Sequence, residues 1–286
     1  MTPDLTAPDD AKKRTPLENG GPRQGDGAKF FTLDTEDLTD DWPYHAVANT
    51  ILAHSLLRSL PGVDANRTAL TGISWGGYTA CIAGSIDSRF KAVVPVYGCG
   101  FLRENSVWLK HFATMGPEKT ERWTKLYDPS QYLSSCRVPF FFVAGTNDFA
   151  YPLDSYMKSF DLVTGPKNIR IEVKMKHDHP NGWKPAEIAA FIDSQLLGKP
   201  KLPLLDRPIE KDNAVTTTVH DAPIQSAELE FTTTEGPINQ LEWDHASATL
   251  SQDRLSAPLP ANARIYYFTV KTPEGLMVSS PVVIKK

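Results

Sequence analysis

Three kinds of side chain stand along the chain in an order that can cleave an acyl bond. Ser74 lies in "LTGISWGGY" (residues 70–78), Asp148 in "FFFVAGTNDFAYP" (140–152), and two histidines, His177 and His179, in "KHDHPNGW" (176–183). The pattern G-x-S-x-G carries chemistry when a strand precedes it and a helix follows. The glycines permit a sharp strand-to-helix turn, which holds the serine in a strained backbone and leaves its oxygen exposed. The N–H of the next residue, Trp75, then points where an oxyanion would form. A glycine-rich turn with an idle serine would share those five residues, so the rest of the chain must supply a base and its partner.

It does so in the required order of serine, acid, histidine. Asp148 follows a strongly apolar run, where an acid is placed to orient an imidazole. Asn147 and Asp148 also suit a plain turn. His177 and His179 share the loop after the next apolar run, "NIRIEVKM" (168–175). The other histidines, His45, His54, His111, His220 and His245, read as idle and solvent-exposed.

These groups need a scaffold, and the hydropathy pattern describes one. Residues 42–60 read as a helix: Asp40 or Asp41 can cap it, Pro43 suits its first turn, and Ala48, Leu52 and Leu56 recur every four residues. "TALTGI", "FKAVVPVYG", "VPFFFVAGTND" and "NIRIEVKM" read as strands. "YTACIAGSI", "LDSYMKSFDLV" and "PAEIAAFIDSQLLG" read as helices between and after them. Alternation of this kind predicts parallel strands in an α/β sheet. "KFFTLDTED" (29–37) could hold a short strand, and residues 101–133 read as aromatic-rich and irregular.

Beyond the Pro-rich "KPKLPLLDRP" (199–208) the period changes to two, in "AVTTTVHD", "AELEFTTTEG", "ARIYYFTVKTPEG" and "MVSSPVVIKK". Short alternating strands with Gly/Pro/Asn turns predict a small all-β sandwich. The expected organisation is an extended or disordered arm over 1–28, a catalytic domain over 29–204 and a β-sandwich domain over 205–286.

Composition narrows the classes. The 286 residues carry a net charge of −4 and no dense Lys/Arg stripe, which argues against nucleic acid or an anionic membrane as partner. No apolar run approaches the ~20 residues a membrane helix requires. The start has no apolar leader, so a cytoplasmic location is the expectation. Cys81, Cys99 and Cys136 have no metal-ligand spacing.

"TGISWGGY", "FKAVVPVYGCGF", "GTNDFAYPLDSY" and "HDHPNGW" together resemble a branch of the α/β-hydrolase superfamily. The branch comprises bacterial acetyl-xylan-esterase-like proteins, related to dienelactone hydrolases and prolyl-oligopeptidase-type catalytic domains. The resemblance covers about residues 15–200, and the β-rich tail is similar to that of some members. It implies a serine carboxylesterase acting on short acyl esters, acetyl above all, of small molecules or carbohydrates, with no metal and no cofactor. It implies Ser74, Asp148 and His179 as the triad, because the second histidine of a His-x-His element aligns with the catalytic one. His177 is then a supporting group and the Trp75 N–H the oxyanion donor. The alternatives are a serine peptidase of the prolyl-oligopeptidase type, and a catalytically weak remnant whose β domain binds or packs.

The resemblance also sets up a conflict. Such sheets have about four strands before the nucleophile strand, and a loop among them supplies a second oxyanion N–H. Only residues 1–41 precede the first helix here, so an N-terminally shortened sheet is expected. An open edge of that kind favours self-association, and a homo-oligomer through that edge is the expectation.

Overall fold

The computed structural model describes residues 21–33 and 36–285. Most of the arm expected over 1–28 therefore lies outside the described residues. In place of the short strand expected at 29–37 there is one helical turn, α1 (Asp26–Phe30). Phe30, fully buried, anchors it against Trp75, Trp108, Phe112 and Trp123. Burying an aromatic ring of this size outweighs the weak local preference of a short Phe-Phe-Thr run.

α2 (Trp42–Ser59) begins at Asp41 with Pro43 in its first turn, as its sequence predicts. The Asp41 carboxylate does not cap the helix. It accepts hydrogen bonds from the Thr32 and Tyr127 hydroxyls instead. The buried face of α2 is Trp42, Ala46, Thr50 and His54, whereas Leu52, Leu56 and Leu60 face outward. The leucine spacing thus marks a helix but not the face that meets this core.

The next units alternate as expected: β1 (Ala69–Ile73), α3 (Trp75–Ile86), β2 (Ala92–Val96), α4 (Leu109–Tyr127), β3 (Phe140–Gly145), α5 (Leu153–Leu162), β4 (Lys167–Glu172), α6 (His179–Trp183) and α7 (Glu187–Leu197). α4 occupies much of the stretch expected to be irregular. Gly116 at φ +77 and Pro117 break it in the middle, which masks the helical period. Strands β1 to β4 are parallel and lie in chain order. Among the described residues β1 is the outermost strand of this sheet. Both faces are covered: Phe142 meets Tyr156 and Phe160 of α5, while its neighbour Phe141 stacks on Phe191 of α7. That is why "FFFVAG" reads as a continuous apolar run.

The tail holds strands at all four period-two segments. With five more between and before them, the tail's strands are β5 (Leu204–Leu205), β6 (Ile209–Lys211), β7 (Ala214–His220), β8 (Ser226–Thr232), β9 (Asp244–Ser247), β10 (Thr249–Ser251), β11 (Arg254–Pro258), β12 (Ile265–Lys271), β13 (Met277–Ser279) and β14 (Val283–Ile284). They divide between two sheets. One, of five strands, runs β10-β11-β7-β5 with β6 beside β7. The other extends the catalytic sheet, in the order β4-β13-β12-β8-β9, with β14 on β12.

The boundary expected after residue 204 is therefore not a boundary between sheets. β13 runs antiparallel to β4, with Ser279 opposite Ile169. The Ile171 N–H donates to Ser279 Oγ at 3.0 Å, and the Met277 N–H donates to Glu187 of α7 at 2.6 Å. Glu187 also pairs with the buried Arg170 of β4 at 3.3 Å. Among the described residues no helix is long and apolar enough to cross a membrane.

Candidate active site

The site lies at the carboxyl ends of β1, β3 and β4. Ser74 links β1 to α3 with φ +57 and ψ −118, outside the region a non-glycine residue ordinarily adopts. Two contacts hold it there. The Ser74 N–H continues the sheet by donating to Val96 O at 2.9 Å, and the Tyr78 N–H closes the first helical turn onto Ser74 O at 2.9 Å. The turn needs glycine at Gly72, where a Cβ would stand 2.4 Å from Gly76 O. It needs glycine at Gly77 as well, where a Cβ would stand 2.6 Å from Val96 O. The N–H groups of Trp75, Gly76 and Gly77 open the helix, where no intrahelical acceptor reaches them.

Trp75 turns its indole into the core. Its ring meets Trp42, Tyr78 and Trp108, and the Lys29 ammonium stands 4.6 Å from its centroid. Burial lowers the Lys29 pKa, and the nearby Asp26 opposes that fall. The backbone carbonyl of Lys29 accepts the Trp123 indole N–H at 2.7 Å. α1 is thus pinned under the residue that follows Ser74.

Asp148 is buried three residues past β3. One carboxylate oxygen accepts the N–H groups of Ala150 and Tyr151, each at 2.8 Å. The other lies 2.7 Å from His177 Nδ1, and His177 Nε2 lies 2.9 Å from Ser74 Oγ. A carboxylate can only accept, so Nδ1 carries the proton. Nε2 is then the acceptor for the Ser74 hydroxyl. In this arrangement the imidazole can take the serine's proton and hold the resulting charge beside Asp148.

The histidine in this position is His177, not His179 as expected. The physical reason lies in where the strand stops. β4 ends at Glu172, not near Met175, and a turn closes on it through Met175 N–H to Glu172 O. Lys174, at φ +54, reverses the chain. The loop therefore reaches the serine two residues earlier than the "NIRIEVKM" run suggests. Asp178 then caps α6 through Asn181 N–H at 2.8 Å, with Pro180 in the first turn, and His179 points into solvent. The His177 ring packs 4.6 Å from Tyr97 and 5.3 Å from Phe149.

Of the five histidines read as idle and exposed, His45 and His111 are half-buried, and His54 is not exposed at all. It is buried under a stacked Phe90, with Nδ1 2.8 Å from Asp87 and Nε2 2.8 Å from the Thr68 hydroxyl. Tyr97 escaped the sequence reading as well. Its place directly after an apolar strand, before Gly98, was the available signal.

A sequence profile of the prolyl oligopeptidase family matches residues 27–195. No curated protein matches the chain. Solved structures similar to it include an acetyl xylan esterase from a Paenibacillus species, at 22% identity and a TM-score of 0.49, covering 55% of this chain and 54% of that one. An acetyl xylan esterase from a Thermoanaerobacterium species has 15% identity and a TM-score of 0.49, with 61% and 57% covered. A puromycin-hydrolysing peptidase from Mycobacterium tuberculosis has 21% identity and a TM-score of 0.48, with 54% and 26% covered. The chain thus spans little more than half the length of either esterase and about a quarter of the peptidase. The family profile covers more than half of this chain, and the chain belongs to the prolyl oligopeptidase family.

Proposed function

We propose that the chain is a serine hydrolase that cleaves short acyl esters, acetyl esters above all, through Ser74, His177 and Asp148. One observation carries the reading: a single imidazole bonds Asp148 with one nitrogen and Ser74 with the other, at 2.7 and 2.9 Å. His177 takes the Ser74 proton as the oxygen attacks the ester carbonyl. The Trp75 N–H receives the oxyanion. His177 then passes the proton to the departing alcohol, leaving an acyl-serine. Water repeats the sequence, with His177 again as base.

The test is labelling by a fluorophosphonate, with turnover of p-nitrophenyl acetate. Both vanish in Ser74→Ala and in His177→Ala, a loss on the order of 10⁶ in turnover. His179→Ala keeps both. Labelling that survives His177→Ala but not His179→Ala overturns the assignment.

A second reading, a peptidase cleaving after proline, is favoured by the family match over residues 27–195. Acyl transfer from an ester and from an amide uses the same three groups. A proline-blocked anilide hydrolysed faster than p-nitrophenyl acetate, corrected for their uncatalysed rates, would establish this reading in place of the first.

A further inference from the structure

The loop that carries Asp148 and the loop that carries His177 are joined by hydrogen bonds, and both are gripped by the tail. Thr146, fully buried, accepts the Lys174 N–H at 3.0 Å and donates its own hydroxyl proton to Asn147 Oδ1 at 2.6 Å. Asn147 Nδ2 donates to the carbonyls of Leu241 at 2.8 Å and Asn239 at 3.2 Å. Those carbonyls belong to the connection between β8 and β9, around the short helical turn Ile238–Gln240. The Lys174 ammonium pairs with Glu242 of the same connection.

Each bond in this series has one possible direction. The Lys174 N–H can only donate, so the Thr146 oxygen accepts it and its single proton goes to Asn147 Oδ1. A flipped Asn147 amide would face its oxygen toward two carbonyl oxygens, which can only accept, so Nδ2 faces them and Oδ1 takes the Thr146 proton. The side chains therefore specify one geometry. The residue after Asn147 is Asp148, and His177 follows Lys174 by three positions. Leu241, buried in the core, fixes the far end.

We infer that residues 239–242 form a strut of the active site, and that Thr146 and Asn147 are positioning residues that set the Asp148–His177 bond. The tail is then a working part of the hydrolase. The inference rests on the proposed Ser74–His177–Asp148 reading. A displacement of about 1 Å in such a group can cost up to 10²-fold in rate.

Three full-length variants test it. Thr146→Val keeps the shape and removes the hydroxyl. Thr146→Ser keeps the hydroxyl and removes a methyl. Asn147→Leu, at a half-buried position, removes both tail contacts without requiring the core to repack. With p-nitrophenyl acetate, kcat falls about tenfold in Thr146→Val and Asn147→Leu with KM within twofold. Fluorophosphonate labelling slows in parallel, and Thr146→Ser stays within twofold of wild type. A packing role for Thr146 reverses the order of Val and Ser. That reversal, or an Asn147→Leu variant with wild-type kcat, overturns the strut. A wild-type chain that takes no label overturns the triad reading itself.

Discussion

The Tyr97 hydroxyl donates to the carbonyl oxygen of Lys176 at 2.9 Å, and the carbonyl of Asp178 stands 3.3 Å away. The two carbonyls flank His177, so the phenol sits between them, giving its one proton to the closer, and its ring lies 4.6 Å from the imidazole. Tyr97 sits just past β2 at φ +59, a conformation uncommon outside glycine. Burial raises its pKa, and the nearby charges of Asp148 and Asp178 raise it further, so it remains a neutral donor across the working pH range. Tyr97→Phe keeps the ring and the backbone but loses the donor. The expected result is a fall in kcat of about five- to tenfold with KM little changed, and a stability loss of about 1 kcal/mol. An unchanged kcat would mean that the α6 cap alone holds the loop.

The elbow glycines are not equivalent. A Cβ at Gly72 meets backbone at 2.4 Å, and backbone cannot swing aside. A Cβ at Gly76 meets nothing within 4 Å, and Gly76 lies in the first turn of α3. Gly72→Ala should cost about 3 kcal/mol or more. Gly76→Ala should be neutral or stabilise by up to about 1 kcal/mol, because alanine restricts the unfolded chain and favours helix. Urea denaturation of the two variants checks both signs, and equal effects would refute the contact argument.

The parts of the site that announce themselves in the sequence are those whose backbone setting is local. Ser74 is legible because the glycine spacing and the strand-to-helix change fall within nine residues. Asp148 is legible because an unbroken apolar strand ends just before it. The histidine is not, because β4 stops at Glu172 although apolar alternation continues to Met175. Choosing between His177 and His179 depends on a left-handed Lys174 that no composition signal marks. Phe30 and Trp75 meet across 45 positions of sequence, and Asn147 meets Leu241 across 94. Pairings at that range follow from the whole fold. The leucines of α2 show the same limit: their spacing gives the helix but not which side meets the core.

The buried group around His54 makes a prediction about acid stability. Asp87 accepts from Arg89 and from His54 at 2.7 and 2.8 Å. Burial alone would raise the Asp87 pKa, but the hydrogen bonds from Arg89 and His54 outweigh it and bring it to about 2 from 3.8. The folded value lies below the unfolded one. The stabilisation is therefore complete above pH ~5 and is lost progressively as pH falls through about 2. A shift of this size corresponds to about 2 kcal/mol. Asp87→Asn should lose about that much at pH 7 and show a flatter stability profile between pH 4 and 2, measured by urea denaturation at a series of pH values. A variant as acid-sensitive in that window as wild type would place the acid response elsewhere.

Phe149 tests which substrates the site favours. It follows Asp148, the residue is 54% exposed, and its ring stands edge-on to the His177 ring at 5.3 Å. In the proposed mechanism His177 Nε2 delivers the proton to the departing alcohol, so the alcohol must pass over the imidazole. Phe149 offers an exposed apolar face directly beside that ring. A ring or apolar chain in the leaving group gains contact with this face, whereas methanol is too small to reach it. Aromatic contacts of this kind are worth about 0.5–1.5 kcal/mol, or roughly two- to tenfold in rate. Phe149→Ala should therefore lower kcat/KM for benzyl acetate by that factor and leave methyl acetate within twofold. Comparing each substrate with itself across the two proteins removes the intrinsic difference between the esters. Equal losses on both substrates would show that Phe149 only supports His177, and no loss on either would place the leaving group away from Phe149.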